Sequence, residues 1–350
     1  MNLLEKTLNS IEDLHEKSML KARERLNCLI KPPGSLGKLE TMAIQIAGIT
    51  GQVNNSLSKK VIIIMAADNG VIEEGISVAP AEVTALVTKC ITEGGTGVSV
   101  LARHARSDLM VVDIGVNQEM NYPGIINKKI RYGTGNILKE PAMTRAEAIK
   151  AIETGIETVI EAKDRGFQLI GTGETGMGNT TTSSAILSLY GACDIEEVTG
   201  RGAGLSDEGV KKKIDVIRKS IELKYPDISD PIDVISKVGG LDIAGLAGVY
   251  LGCASERIPV VIDGFISGVA ALMAIKLNKK ARNFMFPSHM SAERGGKKLM
   301  ECLSMEPMFY MDMRLGEGTG CALAFSVIEG AAKLINEMHT FKEVLGRNHI

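Results

Sequence analysis

An α/β doubly wound fold is the class this 350-residue sequence predicts, with a mostly parallel, Rossmann-like sheet and a small helical lobe from the chain termini. Three observations carry that prediction. The short strand-like segments are apolar throughout instead of alternating, which is the pattern of strands buried on both faces of a parallel sheet. A glycine-rich or acidic turn closes most of them. A helix-length segment then follows, and strands that alternate with helices build parallel sheets.

Taken in order, VIIIMAADNG (61–70) reads as a strand and turn, and PAEVTALVTKCITEG as the helix after it. DLMVVDIGV (108–116) is a second buried strand. FQLIGTGE (167–174) leads into NTTTSSAILSLYG, and IPVVIDG (258–264) into FISGVAALMAIKL. FMFPSHMS (284–291) leads into AERGGKKLMECL, and FYMDMRLGEG (309–318) into TGCALAFSVIEGAAKLINEM. The terminal helices, about 3–26 and 320–340, fall outside the alternation. The domain reading is therefore a large α/β unit over 27–319, and a helical lobe from 1–26 plus 320–350. No repeat, low-complexity tract or linker separates independent domains.

Composition narrows the function classes. Hydrophobic residues make up 45% and charged residues 23%, the balance of a soluble globular chain. The formal net charge of -2 gives no basic field for nucleic acid or an anionic membrane, so any anion site must be local. Thirty-eight glycines point to many close backbone approaches. Cys28, Cys90, Cys193, Cys253, Cys302 and Cys321 are spread without a C-x-x-C or metal spacing, so they read as free thiols and no metal site is expected. The N-terminus is a mixed-charge amphipathic helix, unlike a signal peptide, and no apolar run reaches membrane-spanning length. A cytoplasmic protein is expected.

In such sheets ligands bind beyond the carboxyl ends of the strands, where Asp68, Glu174, Asp263, Ser291 and Glu317 fall. The segment GETGMGNT (173–180) departs from the ATP-binding pattern G-x-x-x-x-G-K-[ST] by one residue, Asn179 in place of lysine. Gly173, Gly176 and Gly178 can still let backbone N–H groups converge on phosphate, and Asn179 to Thr182 add side-chain donors. Without the lysine the loop suits one phosphate better than a triphosphate, which disfavours a kinase. The alternative is a turn needed only for helix–sheet packing. A second turn, TGRGAGLSDEGVKKKI (199–214), argues for an anion site, with Gly200, Gly202 and Gly204 ahead of Lys211, Lys212 and Lys213. One of these lysines can face an anion while the others form a solvated face.

Glu174 and Glu317 are glycine-flanked carboxylates at strand ends. Each is open to two readings, a helix cap or a general base. His104, His289, His339 and His349 share no ligand spacing, and Ser183 and Ser184 lack a nucleophile-elbow context.

Seven blocks in order resemble the nicotinate-nucleotide–dimethylbenzimidazole phosphoribosyltransferase family, nearly end to end. They are KPPGSLGKLE (31–40), AADNGV (66–71), GTGETGMGNTTTSSA (171–185), TGRGAGL (199–205), DGFISGVAAL (263–272), SHMSAERG (288–295) and MDMRLGEGTGCALA (311–324). The resemblance implies transfer of the phosphoribosyl group of nicotinate mononucleotide to an aromatic base, giving nicotinate and an α-riboside 5′-phosphate, without a cofactor. By the same resemblance Glu317 is the catalytic base. Gly176, Gly178, Asn179, Thr180, Gly202, Gly204, Lys213 and Ser291 surround the nucleotide, chiefly its phosphate. Glu174 and Asp263 serve the ribose hydroxyls or pocket polarity, and Met177 and Leu315 wall the base pocket. Relatives specialised for dimethylbenzimidazole often carry a serine and a glutamine where this chain has Ala79 and Val87, so a greasier pocket and a broader set of acceptors are expected. The partners implied are these two small molecules and a second subunit, identical or paralogous. A non-catalytic partner subunit is the competing reading.

Overall fold

A computed structural model describes residues 1–347; His349 and the last three positions of the expected 320–350 lobe lie outside the described residues. Six strands form one parallel sheet: β1 (Lys60–Ala67), β2 (Asp108–Gly115), β3 (Ile125–Asn127), β4 (Leu169–Thr175), β5 (Val260–Ile262) and β6 (Met285–Pro287). Their order, β3-β2-β1-β4-β5-β6, reverses direction between β1 and β4, so the crevice of a doubly wound sheet opens there. β1 and β4 are buried at every residue, including Lys60 at the start of one and Glu174 near the end of the other, around mostly apolar or small side chains.

Five expected strands are present and one is not. Residues 309–318 form a loop, joined to the neighbouring 289–292 segment by a single Phe309–His289 bridge and the backbone bond from Ala292 N–H to Met313 O. Positive φ at Asp312, Gly316, Glu317 and Gly318 breaks any extended run, and Tyr310, Met311 and Leu315 face outward. Their apolar character misled the strand reading. β3 escaped it, being three residues long and partly exposed at the sheet edge.

The helix Leu241–Ser255, buried along almost its whole length, crosses under β1, β2 and β4 against the helix Arg145–Asp164. Glycine makes that crossing possible, because a Cβ on Gly155 would run into Gly245 O and one on Gly248 into Ile152 O. The expected N-terminal helix is two, Leu3–Ser10 and Glu16–Cys28. The second packs with Lys38–Thr50 and the far end of Thr319–Glu337 around Ala22, Leu26, Ala43, Ala47, Ala331 and Ile335. The near end of Thr319–Glu337 lies on β4 and β5.

Candidate active site

The glycine loop sits at the β1/β4 crevice. β4 ends at Thr175, the chain turns through Gly176–Gly178, and the helix Asn179–Gly191 begins with Gly178 at φ +90°. A Cβ on Gly176 would collide with Ala67 O, so only glycine lets the loop lie against the end of β1. Asn69 N–H donates to Met177 O (3.2 Å), and Met177 N–H to Thr84 Oγ1 (3.0 Å), which laces the loop to its neighbours.

Beside the loop is a cavity of about 60 Å³, bounded by Gly176 to Thr180 on one side and Arg201, Gly202 and Lys213 on the other. Lys213 is only 1% exposed and donates to Thr180 Oγ1 at 2.7 Å. Burial pushes its ammonium down to about 8, opposed by the charge of Glu293. Among the described residues no carboxylate lies within ion-pair distance of it. Lys211 and Lys212 are exposed. A buried ammonium without a counter-ion beside a helix N-terminus is the environment that suits an anion. Gly202, at φ +52°, keeps the second turn close to Thr180. Gly204 and Ser291 do not line the cavity. Gly204 N–H closes its own turn on Arg201 O (3.1 Å), and Ser291 Oγ accepts from Glu293 N–H (3.3 Å).

The carboxylates gather at the next strand ends. Glu174, 6% exposed, accepts from the Asn179 side-chain amide, and the backbone at Gly316 presses on it so closely that a Cβ there would overlap Oε1. Burial first, then the charges of Asp242, Asp263 and Glu317, hold its carboxyl well above the usual range. Glu317 itself stands at φ +62°. Its backbone lies against Gly173, where a Cβ would run into Glu317 O. Its Oε2 accepts from Val98 N–H (3.0 Å) at the start of the helix Gly97–Ala105, so an element far away in sequence aims it. Asp263 straps the same loop down: Oδ2 accepts from Gly318 N–H (3.0 Å) and Oδ1 from Gly320 N–H (2.7 Å). Burial pushes Asp263 up to about 7 against the pull of those N–H groups.

Leu315, 61% exposed, lines an open, mostly apolar groove of about 500 Å³ with Gly97, Val100, Leu101, Met313 and Thr319, next to Glu317. Met177 lies on the wall of the anion cavity. Ala79 and Val87 line neither. Ala79 is held by Ser77 Oγ, which donates to its O (3.0 Å) and accepts from its N–H (3.3 Å), while Val87 packs on the core. Glu174, Gly176, Gly178, Asn179, Thr180, Gly202, Lys213 and Met177 thus come together, with Glu317 and Leu315 adjoining. A hollow of about 620 Å³ beside β6, lined by Met19, Met42, Gln45 and Met308, is remote from all of them. Reading the sequence missed Asn69, Arg201 and Asp242. For Asp242 a signal existed, a lone carboxylate in the otherwise apolar helix LDIAGLAGVYLGCA.

The model of the family described as "Phosphoribosyltransferase" matches residues 11–344. The chain is 55% identical to the nicotinate-nucleotide–dimethylbenzimidazole phosphoribosyltransferase of Ruminiclostridium cellulolyticum, over 96% of both chains. It is 52% identical to the protein of that name from Acetivibrio thermocellus, over 97% of both. Among solved structures, CobT from Thermus thermophilus superposes with a TM-score of 0.90 at 35% identity, covering 94% of this chain and 98% of that one. With the fold, the order of its motifs and relatives matched nearly end to end in agreement, the chain belongs to the nicotinate-nucleotide–dimethylbenzimidazole phosphoribosyltransferase family.

Proposed function

We propose that this protein transfers the 5-phosphoribosyl group of nicotinate mononucleotide to an aromatic base, forming an α-riboside 5′-phosphate and nicotinate. The observation that carries the reading is the sealed Lys213 ammonium in a cavity sized for one phosphate, with Glu317 held at a helix N-terminus beside an apolar groove. The phosphate binds Lys213, Thr180 and the N–H groups of the loop, and the base lies in the groove against Leu315. As the base nitrogen forms its bond to C1′, the bond from C1′ to the pyridinium nitrogen breaks and its electron pair stays on that nitrogen. Nicotinate leaves with a neutral ring, so the chemistry calls for no metal or cofactor. The proton of the attacking N–H, or of the O–H where a phenol attacks through its oxygen, passes to the Glu317 carboxylate, and the configuration at C1′ inverts.

Asp263 and Gly173 support the step by fixing the backbone that carries Glu317. Burial favours the neutral form of Glu174, and we assign its carboxyl to a ribose hydroxyl. The apolar lining of the groove supports a tolerant acceptor site, since a pocket that cannot pair a ring nitrogen discriminates weakly. Dimethylbenzimidazole, other benzimidazoles, adenine, phenol and p-cresol are the acceptors to offer. We read the protein as cytoplasmic and as a dimer, with itself or a paralogue, and the exposed Leu86, Val100, Tyr310 and Leu315 support such a partner. A purely supporting subunit is disfavoured because Glu317 is kept and aimed.

The deciding experiment incubates the protein with nicotinate mononucleotide and each base, and follows nicotinate release and riboside phosphate by chromatography. Release that depends on the base is the expected result. None with any acceptor overturns the reading. Offering dimethylbenzimidazole and p-cresol together tests tolerance, and strong preference for the former removes the greasy-pocket argument.

A further inference from the structure

Asp242 lines neither the cavity beside Lys213 nor the Leu315 groove, yet it is fully buried under the glycine loop. It occupies the first turn of the helix Leu241–Ser255, where Oδ1 accepts from Ile243 N–H at 3.0 Å. That helix cannot shift, because Gly248 touches the backbone at Ile152 and Gly245 lies on Ile114 and Met65. Among the described residues the second oxygen, Oδ2, makes no hydrogen bond of good geometry, and a Cβ on Gly176 would stand 3.3 Å from it. Asn69, also fully buried, carries the complementary vacancy: Oδ1 accepts from Thr182 Oγ1 at 3.4 Å, while Nδ2 makes no hydrogen bond of good geometry among the described residues.

Asn179 completes the arrangement. Its amide has two N–H donors. One goes to Glu174, and the amide also lies beside Asp242, where it favours the charged carboxylate. The groups facing Asp242 are thus Asn69 from the end of β1, Glu174 from the end of β4 and Asn179 from the following helix. Among the described residues no lysine or arginine lies within ion-pair distance of it.

We propose that Asp242 is a positioning residue for the transfer reaction: from beneath the loop it orients the amides of Asn179 and Asn69, and through Asn179 the carboxyl of Glu174. The proposal rests on the function read above. It needs the anionic form of Asp242, which as an acceptor-only group fixes both amides with their N–H groups toward it. Asp242→Asn keeps the volume and the bond to Ile243 but turns an N–H toward N–H donors.

The test is titration calorimetry with nicotinate mononucleotide at pH 7.5 and 5.5, on wild type and Asp242→Asn. At pH 7.5 the variant should bind at least tenfold more weakly. At pH 5.5 the gap should narrow by about fourfold, because wild-type Asp242, pushed up to about 6 by burial, is then about three-quarters protonated. Titration of the nucleotide's own phosphate affects both proteins alike. Binding within twofold of wild type at pH 7.5, or an equal loss at both pH values, overturns the role of Asp242. Should the variant not fold, Asn69→Ala replaces it: at least threefold weaker binding at an unchanged Tm is expected, and unchanged binding overturns the proposal. A wild type that binds no nucleotide at all instead overturns the reading of function, and this role with it.

Discussion

Lys213 and Glu317 are set to work by opposite means, one by enclosure and the other by a partner at its head. Lys213 lies in a dry wall, so its ammonium is held down to about 8 and costs the free protein something to keep charged. In the proposed reaction the phosphate of the nucleotide supplies the missing counter-ion. Only the cation can do this, so nucleotide binding should weaken as pH rises through about 8. Calorimetry from pH 7 to 9 checks it, with Lys213→Met expected to bind weakly and without that slope. A flat wild-type profile would remove Lys213 from the phosphate. Glu317 is held by Val98 N–H and by its own left-handed backbone. Glu317→Gln keeps the acceptor for that N–H but cannot take a proton. It should lower kcat by roughly 10²–10⁴-fold while nucleotide binding stays near wild type, and steady-state kinetics beside calorimetry separates the two.

Among the elements, the glycines sort into those that pack and those that do not. Gly248 sits where the helix Leu241–Ser255 crosses Arg145–Asp164, with no room for a methyl group, so Gly248→Ala must force the pair apart. Overpacking of this kind costs about 1–3 kcal/mol, and a drop in Tm of several degrees is expected by calorimetric scan. Gly330, inside Thr319–Glu337, has open space around it and an ordinary φ. Gly330→Ala should therefore gain about 1 kcal/mol of helix propensity and raise Tm. If the two substitutions behave alike, the close crossing is not what the glycine serves. Periodicity cannot tell these two positions apart, because each is a glycine within a helical pattern.

For the molecule as a whole, the buried acids set the response to pH. Glu174, Asp242 (about 6) and Asp263 (about 7) are all raised by burial, so the folded state keeps protons that the unfolded chain releases near pH 4. Where the folded state binds more protons, stability falls as pH rises. Urea unfolding of the ligand-free protein should therefore show less stability at pH 7.5 than at 5.5, and the reverse would mean these carboxyls ionise freely. The sheet class, five of its six strands and the glycine loop were legible in the chain, because unbroken apolar runs and turn glycines are local patterns with local causes. The three-residue β3 was too short to leave a pattern, and the apolar residues of 309–318 imitate a strand while facing outward. Asp242 and Asn69 meet under the loop from positions 173 residues apart, and Val98 aims Glu317 from more than two hundred away. By itself, then, the sequence determined the sheet class, five of the six strands and the glycine loop at the end of β4. Only the tertiary structure decided the strand order, the strap on Glu317 and the acid beneath the loop, since these rest on close backbone approaches between distant segments, which no local periodicity encodes.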